Sequence, residues 1–367
     1  MACLLLPSPH VETLDLVRQA TAPRATRSPV ALSAPAIAVI GCGAIARSAH
    51  VPALAQHPRV RARAILVDQD RARANALAGE FGIATTAADY RDVLPDVQGA
   101  VIALPHHLHF PVALDCLRAG VPVLCEKPLA ASATEGAQLV AAAKRARVGL
   151  AVNHIRRLFP PSQAVRYLLH QGAIGTVRFI GYYDGAKYDW PAASGFAFGL
   201  RSGGKGVLFD IGAHVLDLIC WWLGRPPRVT DYIDDSCGGS EAVAKVSFAD
   251  EHGTLRGEVH LSWLAKLQNG FRIEGDEGTI TGSIFDFESL HVTSKSNGKR
   301  RKTVPITTRV RSLGDIAPLI MENFLAVIAG DEEPLVPGRD VVPSIGLIEE
   351  CYARRRRFPM PWQDYAS

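Results

Sequence analysis

No two of the seven cysteines are spaced as a CxxC pair: they stand scattered at 3, 42, 116, 125, 220, 237 and 351, mostly inside apolar runs. An odd, unpaired set argues against a disulfide framework and a thiolate zinc site, and suits a reducing, cytoplasmic setting. No apolar run reaches the ~18 to 20 residues needed to cross a bilayer, so no membrane partner is expected. The opening MACLLLPSPH is apolar only briefly and has no basic n-region, so it does not read as a signal peptide. Charge of one sign is also scarce, with 40 Lys and Arg against 36 Asp and Glu, net +4. Two basic runs stand out. Lys299-Arg300-Arg301-Lys302 lies among Asn, Gly and Ser and reads as a solvated loop, whereas Arg354 to Arg357 ends an expected helix. Neither is interleaved with aromatic residues, so no nucleic-acid partner is expected.

What remains is a chain of 367 residues, 48% hydrophobic, long enough for two cores. Residues 1–35 are rich in Ala, Pro, Arg and Ser and read as an arm, disordered or contacting another subunit. Residues 36–155 alternate short apolar strands with Ala-rich helical stretches. The strands are Ile37–Ile40, Ala64–Val67, Ala100–Leu104, Val121–Cys125 and Gly149–Val152. That rhythm predicts βαβ units and a parallel sheet, buried on both faces and therefore continuously apolar. Residues 156–367 change rhythm. Strands near 176–183, 241–249, 254–263 and 269–275, with helices near 161–171, 208–223 and 315–329, predict an α+β unit with a large, mostly antiparallel open sheet. A last helix near 340–356 would close the chain.

Gly41-Cys42-Gly43-Ala44-Ile45-Ala46 is a G-x-G-x-x-A that follows the first strand and opens a helix. Glycines there allow a tight turn and a close approach of backbone to a pyrophosphate, whose charge meets the helix N-terminus. The second strand ends in Asp68, 22 residues after Ala46, near the spacing of a ribose-binding carboxylate. Fingerprint, context and acid together predict a dinucleotide-binding Rossmann unit. A carboxylate accepts the ribose 2′-OH and repels a 2′-phosphate, so NAD is expected first; Arg71 and Arg73 nearby keep NADP open.

Within Val207–Gly224, Asp210, His214 and Asp217 fall at i, i+4 and i+7 and would share one helix face in apolar surroundings. Buried polar groups need partners. A His with an Asp one turn earlier suits proton transfer, although a satisfied core His is an equal reading of the pattern alone. Cys125-Glu126-Lys127-Pro128-Leu129 ends a strand where doubly wound sheets bind their ligands. Lys127 there could polarise a carbonyl or steady an alkoxide, against the plain alternative of a solvated Lys before a proline turn.

Taken together these residues resemble the glucose–fructose oxidoreductase / inositol dehydrogenase / rhizopine-catabolism (Gfo/Idh/MocA) family. The match covers roughly residues 36 to 356. It rests on Gly41–Ala46, on Glu126-Lys127-Pro128, and on Gly203-Gly204-x-Gly206-x-x-x-Asp210-x-Gly212-x-His214-x-x-Asp217. The resemblance implies a Rossmann domain followed by an open-sheet domain, assembly as a homodimer or homotetramer, and a last helix that braces the first domain. It assigns Lys127, Asp210 and His214 to catalysis. By resemblance the cofactor would meet Gly41 to Ala46, Asp68, Leu104, Pro105, His106, His109, Glu126, Lys127 and Pro128. The substrate would meet Lys127, Asn153, Arg156, Lys187, Arg201, Lys205, Asp210 and His214.

The chain departs from the family at Leu104-Pro105-His106-His107-Leu108-His109, where His106 replaces the usual Asn. Lys205 also interrupts the usual glycine triplet. Histidines 106, 107 and 109 do not share a face, so no metal is expected. Lys187, Arg201 and Lys205 suggest contacts to an anionic substituent, against ordinary surface charge. The implied activity is reversible hydride transfer between nicotinamide and a secondary alcohol or ketone of a sugar, sugar derivative or cyclitol. His214 would take the hydroxyl proton, Asp210 would orient His214, and Lys127 would stabilise the oxyanion. A redox-assisted glycosidase that retains NAD is one alternative. A non-catalytic dinucleotide-binding regulator is the other, and retention of both Lys127 and His214 counts against it.

Overall fold

The computed structural model describes residues 14–15, 34–191, 205–236, 239–295 and 301–359. Arg201, Gly203, Gly204, Lys299, Arg300 and nearly all of the expected arm lie outside the described residues.

Six strands pair in parallel: Ile37–Ile40, Ile65–Val67, Thr85–Ala87, Gly99–Ile102, Val123–Cys125 and Leu150–Val152. In space Thr85–Ala87 lies at one edge. Ile65–Val67, Ile37–Ile40, Gly99–Ile102, Val123–Cys125 and Leu150–Val152 follow in that order. The central strands are buried throughout because helices cover both faces. Thr85–Ala87 was not expected from the sequence; as an edge strand it is partly exposed and carries no apolar run. The strand order reverses beside Ile37–Ile40, which opens a crevice at the C-terminal strand ends. Gly41, Leu104 and Lys127 all leave the sheet there.

A second, ten-stranded sheet is mixed and mostly antiparallel. Its order is Leu14–Asp15, Arg301–Thr307, Ser289–Ser294, Gly278–Gly282, Gly270–Gly275, Val177–Gly185, Arg256–Ser262, Val243–Ala249, Arg228–Asp234 and Arg355–Arg357. One face packs on the helices Pro160–His170 and Ala213–Leu223, around Trp222, Tyr182 and Phe271. The other face is half-open, as the alternating burial of Val243–Ala249 records. No helix among the described residues is long and apolar enough to cross a membrane.

Two local expectations are corrected. Arg301 and Lys302 are not loop residues but open a strand of the large sheet. The last helix ends at Ala353, and Arg355–Arg357 form an edge strand instead. Charge pairing explains that ending: Arg355 meets buried Asp234 at 2.5 Å and buried Glu241 at 3.0 Å, and Arg356 meets Asp231.

The two C-terminal helices reach back to the parallel sheet. Met321 and Phe324, from Ile316–Ala329, join the core beneath Ile37 and Val39. Helix Gly338–Ala353 offers Val341 and Ile345 to the parallel-sheet core, and Leu347, Ile348 and Cys351 to the other. Between its ends it therefore fixes the crevice to the second sheet.

Candidate active site

The cofactor loop is shaped by backbone. Gly41 has φ +97°, and a Cβ there would stand 2.4 Å from the Ala103 carbonyl oxygen, so only glycine fits. Its neighbour Cys42 donates its N–H to Asp68 Oδ2 at 2.9 Å. Asp68 also accepts from the Asp70 N–H at 2.9 Å and from Arg73 Nη1 at 3.2 and 3.3 Å. A bare, positive-φ turn entering a helix beside a strand-end carboxylate fits the pyrophosphate and ribose of a dinucleotide. Arg73 offsets the charge of Asp68, so the site holds both the acceptor a free ribose wants and a cation that a 2′-phosphate would use.

The Glu126-Lys127-Pro128 turn is held from beneath. Glu126 is buried and receives His50 Nε2 at 2.7 Å, Asn153 Nδ2 at 2.5 Å and the Lys127 N–H at 3.2 Å. Burial alone would raise its carboxyl, but His50, Asn153 and Lys127 outweigh that and hold it below the usual range. Expected as a cofactor contact, Glu126 instead ties the cofactor helix, through His50, to the turn that presents Lys127. His109, also expected at the cofactor, is fully buried with one ring nitrogen 2.7 Å from Pro128 O and the other 2.8 Å from Leu104 O. It is a strut between two strand-end turns. The Lys127–Pro128 peptide is cis.

Lys127 Nζ reaches across to the second sheet's helix and donates to Asp210 Oδ1 at 2.5 Å and Asp210 O at 3.1 Å. Burial pushes the Asp210 carboxyl up, yet the Lys127 ammonium prevails and holds it low. The anticipated Asp210–His214 pairing is absent. Leu208–Gly212 is a π turn, which adds a residue before Ala213–Leu223 and rotates Asp210 away from the face of the later residues. His214 Nδ1 is buried without a partner. Asp217 departs too: it takes Arg157 in a two-pronged buried pair at 2.7 and 2.6 Å, with His154 Nδ1 3.5 Å away. The His154 ring stands nearly perpendicular to His214 with centroids 5.6 Å apart. Burial first, then Lys127, Arg156 and His154, push the His214 pKa well below its ordinary value, so its imidazole is neutral. His106 lies beside the same groups. Burial, His109 and Lys127 push it down to about 3.

Two cations expected at the substrate already have partners. Arg156 donates to buried Asp184 at 2.5 Å, with its guanidinium 5.4 Å from the Phe285 ring centroid. Lys205 donates to Ala131 O at 3.2 Å and lies 4.1 Å over Phe209. Lys187 is exposed, and Arg201 lies outside the described residues. Asn153 keeps its Oδ1 buried and unpartnered while its amide nitrogen serves Glu126. Among the described residues no three His, Cys, Asp or Glu side chains are grouped to hold a metal ion.

Sequence reasoning passed over His50, His154, Arg157 and Glu241. Glu241 is buried and accepts from the Gly206 and Leu208 N–H groups at 3.0 and 3.1 Å and from the Tyr352 hydroxyl at 2.8 Å, setting where the Asp210 helix begins. Gly206 packs so closely that a Cβ would meet the Glu241 carbonyl oxygen at 2.0 Å. No local pattern marks Glu241. His50 was legible as a lone polar residue among Ala46, Val51 and Leu54 on the cofactor helix.

Comparison with known proteins agrees with this geometry. A model of an oxidoreductase family with an NAD-binding Rossmann fold matches residues 36–154, and one of the GFO/IDH/MocA C-terminal domain matches residues 162–281. A dTDP-3,4-didehydro-2,6-dideoxy-alpha-D-glucose 3-reductase of Streptomyces violaceoruber is 32% identical over 251 residues, 67% of this chain and 71% of its own. A 1,5-anhydro-D-fructose reductase of Ensifer adhaerens is 27% identical, over 74% of this chain and 82% of its own. Among solved structures, a levoglucosan dehydrogenase in complex with NADH and levoglucosan shares the fold. Its TM-score is 0.75 at 21% identity, covering 87% of this chain and 96% of that one. With the two family matches spanning more than half of its residues, the chain belongs to the Gfo/Idh/MocA oxidoreductases.

Proposed function

We propose that the chain is an NAD(P)-dependent dehydrogenase or ketoreductase that acts on a secondary alcohol or ketone of a sugar, sugar derivative or cyclitol. The Lys127–Asp210 pair at a C-terminal strand end of the parallel sheet, with neutral His214 one turn further along the same helical segment, carries this reading. Gly41 to Ala46, Asp68, Leu104, Pro105, His106 and Pro128 would hold the dinucleotide, and Asn153, Arg156 and Lys187 would border the substrate. The nicotinamide, when bound, supplies the hydride acceptor or donor. His214 takes the hydroxyl proton on oxidation and returns it on reduction. Lys127 donates a hydrogen bond to the oxygen whose charge develops, and Asp210 keeps its ammonium aimed there. Orientation of the imidazole falls to packing against His154, since Asp210 is committed to Lys127. The half-open sheet face would form the contact of a homodimer or homotetramer, in a cytoplasmic setting.

The relatives' names support a carbohydrate-type substrate. The test is nicotinamide reduction by the purified chain with panels of sugars and inositols. Because His214 is held neutral and Asp210 ionised, log kcat/KM for oxidation is expected to show no bend at the ordinary histidine value of about 6.5. A bend there that disappears in His214→Gln would contradict the lowered pKa of His214. A His214→Gln variant that keeps kcat would contradict its role as the proton acceptor. Dinucleotide binding without turnover of any polyol would contradict the activity.

A further inference from the structure

We infer that the site takes a neutral sugar bearing a second ring, as in an aryl or glycosyl glycoside, rather than a sugar phosphate; this rests on the hydride-transfer reading above. Two segments border the catalytic groups beyond the ends of sheet strands. Residues 186–190 follow Val177–Gly185, and residues 283–288 follow Gly278–Gly282. Arg156 joins them, gripping Asp184 at 2.5 Å on one side and facing the Phe285 ring at 5.4 Å on the other. Arg156 stands two residues after His154, whose ring lies 5.6 Å from that of His214, so this rim lies near the catalytic helix. From the first segment, Tyr188 packs on Trp263 with centroids 5.0 Å apart and feels the charge of Asp210.

Each segment also presents a large aromatic ring to solvent. Trp190 is 48% exposed and Phe285 is 47% exposed, while the core holds most other large aromatics. Exposed aromatic rings mark a surface suited to an apolar partner. The C–H face of a pyranose, or an aryl aglycone, is such a partner, because ring faces and edges complement it.

Charge decides against an anionic substituent. The exposed charges on the two segments are Lys187 against Asp189, Asp286 and Glu288. Arg156 is already neutralised by Asp184, and Lys205 is turned to Ala131 O and Phe209. On these two segments the exposed charge is therefore more negative than positive, which disfavours a phosphate there.

The test uses the full chain with NAD and NADP, and matched sets for glucose, galactose and mannose: the methyl glycoside, the phenyl glycoside and the 6-phosphate. For whichever sugar turns over, the phenyl glycoside is expected to show a KM about fivefold below the methyl glycoside. The 6-phosphate is expected to have the highest KM of the three. In Phe285→Ala or Trp190→Ala the ratio of the two KM values falls to about one. Preference for the phosphate, or a phenyl advantage that survives both substitutions, would overturn the inference. Failure to turn over any sugar despite dinucleotide binding would instead overturn the activity on which it rests.

Discussion

Lys127→Met is expected to lower kcat about a thousandfold while dinucleotide affinity stays within a few-fold, the loss typical of removing one oxyanion donor. The selectivity of the effect follows from how the residue is held. Its backbone belongs to the turn that Glu126 and His109 brace, and those contacts survive the substitution. Only the ammonium is removed, and with it the donor to Asp210 Oδ1. Asp210 then loses the charge that keeps its carboxyl low, so its pKa should rise in the variant. Steady-state kinetics together with equilibrium NADH binding check both halves. A variant that keeps kcat would remove Lys127 from the chemistry. One that loses NADH binding as well would make it a cofactor residue only.

A second large effect is acid sensitivity. His154 and His214 are buried as neutral rings, with burial the foremost cause of lowered pKa in both; His154 falls to about 4. Their folded values lie below the unfolded value of about 6.5. The unfolded chain therefore binds protons that the native state refuses, and stability rises with pH. It is lost as pH falls below 6.5. Between about pH 7.5 and 5.5 each ring should cost on the order of 1 kcal/mol, and the pair roughly twice that. His106 and His109, also lowered, act in the same sense. A loss of that size is a large fraction of the ~5 to 15 kcal/mol that holds a domain together. Asp210 and Glu126, whose carboxyls are lowered, add their losses only in stronger acid, below their unfolded values of about 4. Urea titrations of the dinucleotide-free chain at the two pH values measure the effect. His154→Phe, which keeps a buried ring but cannot be protonated, should recover roughly half of the pair's loss. Equal midpoints at both pH values would show that these histidines are not the buried neutral groups described.

The contrast between the two sheets explains what was legible in the sequence. Strands such as Ile37–Ile40 and Val123–Cys125 are buried on both faces and read as unbroken apolar runs. Gly278–Gly282, Ser289–Ser294 and Arg301–Thr307 bury one face only, so Thr, Ser, Lys and Arg interrupt them and hid them as turns or loop. The site shows the same division. Gly41, Asp68 and Lys127 stand at strand ends, and their placement follows from topology. The relation of Asp210 to His214 depended on assuming a regular helix, and the π turn at Leu208–Gly212 breaks that assumption. Cations raised a further difficulty. Arg156, Lys205 and Arg355 all look free in a sequence, and each is claimed by a partner distant along the chain: Asp184, Ala131 and Asp234. Pairing at that separation leaves no local trace.

The most direct test of the account follows the hydrogen itself. The chain is incubated with NAD and with sugars carrying deuterium on a ring carbinol carbon, and the nucleotide is recovered and weighed by mass spectrometry. The account predicts that deuterium moves to the nicotinamide in the wild-type protein and barely moves in Lys127→Met. Tight nucleotide binding with no label transferred from any sugar would contradict it, leaving a dinucleotide-binding protein without hydride chemistry.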